Sequence, residues 1–238
     1  MRLKLALEYD GTPFRGWAIQ PGLPTVEAAL KAALDRTFAG SENLAVAGRT
    51  DTGVHALGQI VSVDVYGGPP PERATAALNA ALPDAIAVIS AEAASPEFHA
   101  RHSARSRSYR YRILRRRTPS PFERGRSWWV PRPLEEEHLN ESAGLLLGEH
   151  DFRAFTPTET QHRRFVRVVE SAAWHRRGEV LEFEITADSF LRHMVRTLVG
   201  TMLDQTPQEL EPALAGRERS EAGITAPPWG LYLVAVGY

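Results

Sequence analysis

The chain has 238 residues, of which 43% are hydrophobic and 24% are charged, and its formal net charge at pH 7 is −1. It contains no cysteine, which excludes disulfide bonds, thiolate metal sites and cysteine nucleophiles. Because no apolar run approaches the length of a membrane span and the first residues are too polar for a signal peptide, we expect a cytoplasmic protein that has no membrane partner.

Six secondary-structure elements are predicted along the first hundred residues, in the order β-α-β-β-α-β. They span residues 3–9, 26–38, 44–47, 57–65, 72–82 and 86–90. Thr25 is a typical N-cap for the first helix, because a threonine hydroxyl can accept a bond from an amide of the first turn. The element order is that of a ferredoxin-like plait.

The second half of the chain repeats a similar order of elements. Strands and helices are predicted at residues 109–114, 134–147, 166–175, 180–187, 189–203 and 231–236. We therefore expect an α+β fold in which two ferredoxin-like halves form one extended, mostly antiparallel sheet flanked by helices. The predicted domains are residues 1–104 and 105–238.

Positive charge is concentrated in one central segment. Residues 1–100 hold 7 Lys and Arg against 11 Asp and Glu, whereas residues 101–130 hold 10 Arg against one Glu. A dense basic block on a nearly neutral protein indicates a polyanionic partner that binds at one place. The candidates for contacts with an RNA backbone are Arg101, Arg105, Arg107, Arg110 and Arg112.

Residues 47–56 read Ala-Gly-Arg-Thr-Asp-Thr-Gly-Val-His-Ala and lie between two predicted strands. Asp51 is thus carried on a short loop, which is a common way to present a reactive group from a rigid scaffold. Arg49 is a nearby cation that favours the ionised carboxylate. The alternative interpretation is a polar turn in which Asp51 bonds its own backbone.

This string resembles the Gly-Arg-Thr-Asp-Ala-Gly-Val-His signature of the tRNA pseudouridine synthases of the TruA family, with Thr52 in place of the usual alanine. Residues 98–112, beginning Phe-His-Ala-Arg, resemble the family's second motif, although Ser108 stands where a basic residue is frequent. Residues 188–200 and 226–233 resemble its third and last motifs. Residues 9–17 resemble its first loop, which is followed here by Ala18 where glutamine is usual.

The resemblance implies roles for five residues. Asp51 is the catalytic nucleophile. Arg49 either binds a phosphate or fills the space that the target base leaves. Tyr109 stacks on the uracil, and Leu231 helps to wall the pocket. Arg196 pairs with Asp51, although a local acid such as Asp188 is the alternative partner that the sequence leaves open.

The resemblance also implies an activity and its partners. The family isomerises uridine to pseudouridine at positions 38, 39 and 40 of the tRNA anticodon stem-loop. It works as a homodimer, by base flipping and without a cofactor or metal. The sequence leaves open whether Asp51 attacks C1′, attacks C6 or acts through a glycal.

Two other protein classes are alternatives. A non-catalytic RNA-binding module is one, because ferredoxin-like plaits often bind single strands, and such a module would not require Asp51. A phosphatase of the haloacid dehalogenase type is the other, on the basis of the motif at residues 7–12. That chemistry needs an aspartate two residues before Asp10, where this chain has Glu8.

Overall fold

The computed structural model describes residues 1–160 and 162–238. Two compact units are present, one formed by residues 1–105 with 233–238 and the other by residues 106–232. The predicted α+β class is confirmed, since each unit combines helices with strands that pair mostly antiparallel. The last six residues lie in the first unit, and the domain bounds 1–104 and 105–238 stay a prediction.

The first unit follows the predicted β-α-β-β-α-β order. Its elements are β1 (Arg2–Tyr9), α1 (Val26–Thr37), β2 (Gly40–Val46), β3 (His55–Tyr66), α2 (Pro71–Ala81) and β4 (Ile86–Ala93). Strand β1 lies between β3 and β4 and is antiparallel to both, and β2 pairs with the other edge of β3. The loop that joins β2 to β3 is therefore carried by two paired strands.

The alternating apolar residues of β1 and β3 form one buried face. Leu3 lies opposite Val63 and Leu5 lies opposite Val61, and all four side chains are fully buried. Directly opposed residues of an antiparallel pair point to the same side of the sheet, so this register aligns the apolar positions of both strands. The predicted N-cap is confirmed, since Thr25 accepts a bond from an amide of α1.

The second unit contains β5 (Ser106–Leu114), β6 (Trp128–Trp129), α3 (Glu136–Leu145), β7 (Gly148–Asp151), β8 (Val166–Arg177), β9 (Val180–Ala187), α4 (Met194–Asp204) and α5 (Pro207–Leu210). Strand β9 lies between β5 and β8 and is antiparallel to both. The short elements β6, β7 and α5 were not predicted. Strand β10 (Leu231–Gly237) begins in this unit and ends in the first.

The helix predicted at residues 189–203 begins later than expected. Helix α4 starts at Met194, and His193 before it has a left-handed backbone with φ 63°. Asp188 accepts a bond from the Ser189 amide and so caps the turn after β9. Arg192 therefore precedes the helix and does not share a helix face with Arg196, although the two are four residues apart.

Within the part of the chain that the structure describes, no helix has both the length and the apolar character that crossing a membrane requires.

Candidate active site

Asp51 lies on the loop between β2 and β3. The Val54 amide donates to the Asp51 carbonyl at 3.1 Å and closes a turn, in which Gly53 has φ 76°. A side chain at that left-handed position would be strained, so glycine is needed there. The Asp51 side chain is half-buried and Arg49 is exposed. The loop thus presents a carboxylate and a cation from a defined backbone.

A buried polar network holds the residues on either side of Arg49. The Tyr9 hydroxyl lies 2.7 Å from the Thr50 hydroxyl, and Gln59 donates to the Gly48 carbonyl at 2.7 Å and to Tyr9 at 3.3 Å. Gln59 is 0% exposed and Tyr9 is 4% exposed. Burial raises the pKa of Tyr9 to about 12, so its hydroxyl keeps its proton at neutral pH.

The loop that follows β1 packs against the backbone of the Asp51 loop. The Trp17 amide donates to the Thr50 carbonyl at 3.0 Å. Gly16 has φ 94°, and a Cβ at that position would lie 3.0 Å from the same carbonyl oxygen. A Cβ at Gly11 would overlap the carbonyl of Val54. Neither glycine can gain a side chain unless the Asp51 loop moves.

His55 lies beside this contact but is held by structural bonds. Its Nδ1 accepts from the Gly11 amide at 3.1 Å and lies 3.2 Å from an Asp10 carboxylate oxygen. The side chain is almost completely buried. His55 therefore ties the two loops together.

Tyr109 lies in the second unit, on β5, and is 9% exposed. Its ring meets Phe190 edge-to-face, with centroids 4.9 Å apart and an interplanar angle of 80°. This contact fixes the plane of the tyrosine ring. The neighbouring Ser108, which stands where the resembled motif often has a basic residue, places its hydroxyl 2.8 Å from that of Thr186 on β9.

Arg196 and Leu231 also lie in the second unit. Arg196 lies in the first turn of α4, and its Nε donates to the Ala226 carbonyl at 2.7 Å, while the Ala226 amide donates to the Arg196 carbonyl. The Tyr111 hydroxyl donates to the Pro227 carbonyl at 2.8 Å. These bonds fix the segment before β10, whose first residue, Leu231, is buried.

Two of the five candidate RNA-binding arginines form ion pairs with carboxylates. Arg110 contacts Glu184 at 2.9 Å, and Arg112 makes two bonds of 3.0 and 3.1 Å to Glu123. Arg112 also lies 3.3 Å from Glu182, which is buried. These pairs lower the positive charge that the two arginines can offer to a phosphate.

The other three arginines are in different surroundings. Arg107 donates to the Asp188 carbonyl at 2.9 Å and is half-buried. Arg101 and Arg105 are exposed. Among the described residues, the Arg105 side chain has no ion-pair partner. Within those residues no carboxylate competes with a phosphate for the exposed Arg105 guanidinium.

Sequence reasoning missed the network of Tyr9 and Gln59. A signal was present, because Gln59 follows the same alternation as Val61 and Val63 and so occupies a core position of β3. A polar residue at such a position needs hydrogen-bond partners. Over the described ranges 1–160 and 162–238, no three His, Asp or Glu side chains are grouped as a metal site would require.

A family model and two relatives of this chain carry descriptions that agree with one another. A family model described as tRNA pseudouridine synthase matches residues 5–103 and 143–238, which include Asp51, Arg196 and Leu231 but not Tyr109. The tRNA pseudouridine synthase A of Rhodopseudomonas palustris strain HaA2 is 44% identical over 246 residues, covering 100% of this chain and 99% of that protein. The tRNA pseudouridine synthase A of Caulobacter vibrioides strain NA1000 is 42% identical, covering 100% and 98%.

Proposed function

The chain belongs to the tRNA pseudouridine synthase family and is an isomerase, and we propose that it acts on uridines 38, 39 and 40 of the anticodon stem-loop with Asp51 as the nucleophile. The observation that carries this proposal is the construction of the Asp51 loop. Thr50 and Val54 are fixed by buried contacts on either side of a carboxylate that is itself only half-buried. A non-catalytic RNA-binding module would not need such a construction.

The reaction changes the uracil atom that is bonded to the sugar from N1 to C5. The N1–C1′ bond breaks and a C5–C1′ bond forms, while C5 loses a proton and N1 gains one, so the composition of the RNA is unchanged. The three routes, through attack at C1′, attack at C6 or a glycal, all require an ionised aspartate held at the sugar or base. Arg196 is the proposed partner of the Asp51 carboxylate, and its bond to Ala226 orients its guanidinium.

The target uridine must leave its stack before the carboxylate can reach it. Flipping a nucleotide costs a few kcal/mol. Tyr109 offsets part of this cost in our proposal by stacking on the uracil, with Phe190 holding its ring plane. Arg49 is exposed and adjacent to the clamped Thr50, so it can occupy the vacated space or bind the displaced phosphate. Leu231 supplies an apolar wall.

The proposed function is tested by incubating the protein with unmodified tRNA and mapping pseudouridine chemically, without an added cofactor. We expect modification confined to the anticodon stem-loop. A tRNA in which uridines 38–40 are replaced by cytidine is the matched control and should stay unmodified. Binding of tRNA without any pseudouridine would support the RNA-binding module instead.

We propose that Arg105 contacts an RNA phosphate and that the paired Arg112 does not. Arg105→Gln should make the plot of log association constant for tRNA against log salt concentration less steep by about 0.7–0.9, which is the value for one lost phosphate contact. Arg112→Gln should leave that slope unchanged and lower the melting temperature, because Glu123 loses the guanidinium that it binds and the buried Glu182 keeps only its contacts to Arg110 and Arg177. Binding titrations at several salt concentrations measure both, and equal slopes for the two variants would refute the assignment.

Besides tRNA, the proposed partner of this protein is a second copy of the chain. The basic residues are concentrated in residues 101–130, and a homodimer would present two such segments to one tRNA. Charge clustering and the family resemblance support this assembly, which sedimentation of the protein with and without tRNA measures.

A further inference from the structure

We propose that Tyr9 and Gln59 are positioning residues that aim Asp51 by clamping the backbone on either side of Arg49. The inference rests on the proposed function, in which Asp51 is the nucleophile. It concerns neither the nucleophile nor the stacking residue, but the buried bonds that hold the loop in place.

The bonds of the network join Gln59, Tyr9 and Thr50 in sequence. The Gln59 amide nitrogen carries two hydrogens and can only donate, one to the Gly48 carbonyl and one to the Tyr9 oxygen. The Tyr9 hydroxyl then has one hydrogen to give, and the Thr50 hydroxyl oxygen lies 2.7 Å away. The raised pKa of Tyr9 keeps that hydrogen in place throughout the neutral range. The Gln59 amide, the Tyr9 hydroxyl and the Thr50 hydroxyl therefore form one continuous hydrogen-bonded chain.

The clamp fixes Thr50 by two independent contacts. Its hydroxyl is bound by Tyr9, and its carbonyl accepts from the Trp17 amide at 3.0 Å. Gly48 is fixed through its carbonyl by Gln59. Arg49 lies between these two anchored residues and Asp51 follows directly, so both functional side chains leave a backbone that cannot shift freely.

The positions of Tyr9 and Gln59 in the sheet indicate that their role is to hold the Asp51 loop. Along β1 and β3 the core face is apolar at Leu3, Leu5, Val61 and Val63. Polar groups enter this buried face at Tyr9, where β1 ends, and at Gln59, close to where β3 begins. Burying polar groups in an apolar face is costly unless each is bonded, so apolar residues would serve stability at least as well.

The clamp is tested by Tyr9→Phe and Thr50→Val, which remove the two hydroxyls and keep the shapes. Each should lower the single-turnover rate of pseudouridine formation about 10- to 100-fold at saturating enzyme, since small misplacements of reacting groups have effects of this size. The Kd for tRNA should change less than about twofold. The double variant should lose little more than either single variant, because both break the same bond.

Conservative and control variants separate positioning from stability. Thr50→Ser keeps the hydroxyl and should retain a rate within about threefold of the wild type. Tyr66→Phe removes an exposed hydroxyl that donates to Glu42 and should change nothing. Rates measured well below each melting temperature exclude loss by unfolding. Wild-type rates for Tyr9→Phe and Thr50→Val would overturn the inference.

A measurement without RNA keeps this inference distinct from the proposed function. Amide hydrogen exchange in peptides covering residues 48–53 should be faster in Tyr9→Phe than in the wild type, and unchanged in Tyr66→Phe. If the wild type forms no pseudouridine, the proposed function fails while the exchange result still tests the clamp. Unchanged exchange in Tyr9→Phe would overturn the clamp whatever the activity.

Discussion

Asp51→Asn is expected to abolish pseudouridine formation, with a rate at least on the order of 10³-fold below the wild type. The amide has the shape of the carboxylate but carries no charge and is a poor nucleophile and base. The backbone bonds of the loop, from Val54 to Asp51 and from Trp17 to Thr50, do not use the carboxylate. We therefore expect the loop to keep its conformation and the Kd for tRNA to stay within about threefold.

Single-turnover assays and binding titrations on the same tRNA measure the two quantities separately. Asp35→Asn, which changes an exposed aspartate on α1, is the matched control and should alter neither. Asp51→Ala excludes recovery of activity through deamidation of the new asparagine. A rate above about a tenth of the wild type in Asp51→Ala would exclude Asp51 as the nucleophile.

Gly200→Ala is expected to destabilise the protein by about 3 kcal/mol, since overpacking a rigid contact costs this much. A Cβ at Gly200 would overlap the Ile224 carbonyl oxygen and lie 2.9 Å from its carbonyl carbon. Both atoms are backbone and cannot move away by changing rotamer. The same segment accepts the bond from Arg196 to Ala226, so the substitution also disturbs an active-site candidate.

Thermal unfolding measures this effect, and a decrease in melting temperature of about 6–12 °C is expected. Gly144→Ala is the matched control, because Gly144 is also helical and a Cβ there meets nothing within 4 Å. Its expected effect is a stabilisation of about 0.5–1 kcal/mol from helix propensity. If both variants melt alike, the close approach between α4 and Ile224 is absent.

Elements with a regular pattern and a local end signal could be predicted from the sequence. Strand β9 has the predicted bounds, 180–187, and α1 begins directly after its Thr25 cap. The start of α4 could not be predicted, because Phe190 fits the apolar spacing of the helix although it lies before it. Phe190 is apolar because it packs against Tyr109. Strand β7 has no apolar pattern and is held by its backbone pairing with β8.

The candidate site was partly predictable for a related reason. The Asp51 motif is contiguous, whereas Tyr9 and Gln59 meet only because β1 pairs with β3. The pairing of Arg110 and Arg112 with carboxylates also could not be predicted. The antiparallel register places Glu184 opposite Arg110 and Glu182 opposite Arg112, which no count of charges along the chain can reveal.

The close packing of the loop after β1 on the Asp51 loop limits how either can be redesigned. Gly11 and Gly16 contact the backbone of Val54 and Thr50 too closely to accept a side chain. The two loops therefore constrain each other's sequences, although more than 30 residues of chain separate them. Grafting the Asp51 loop alone into another scaffold should give a misshapen loop, and an engineer who transplants this site has to move both loops as one part.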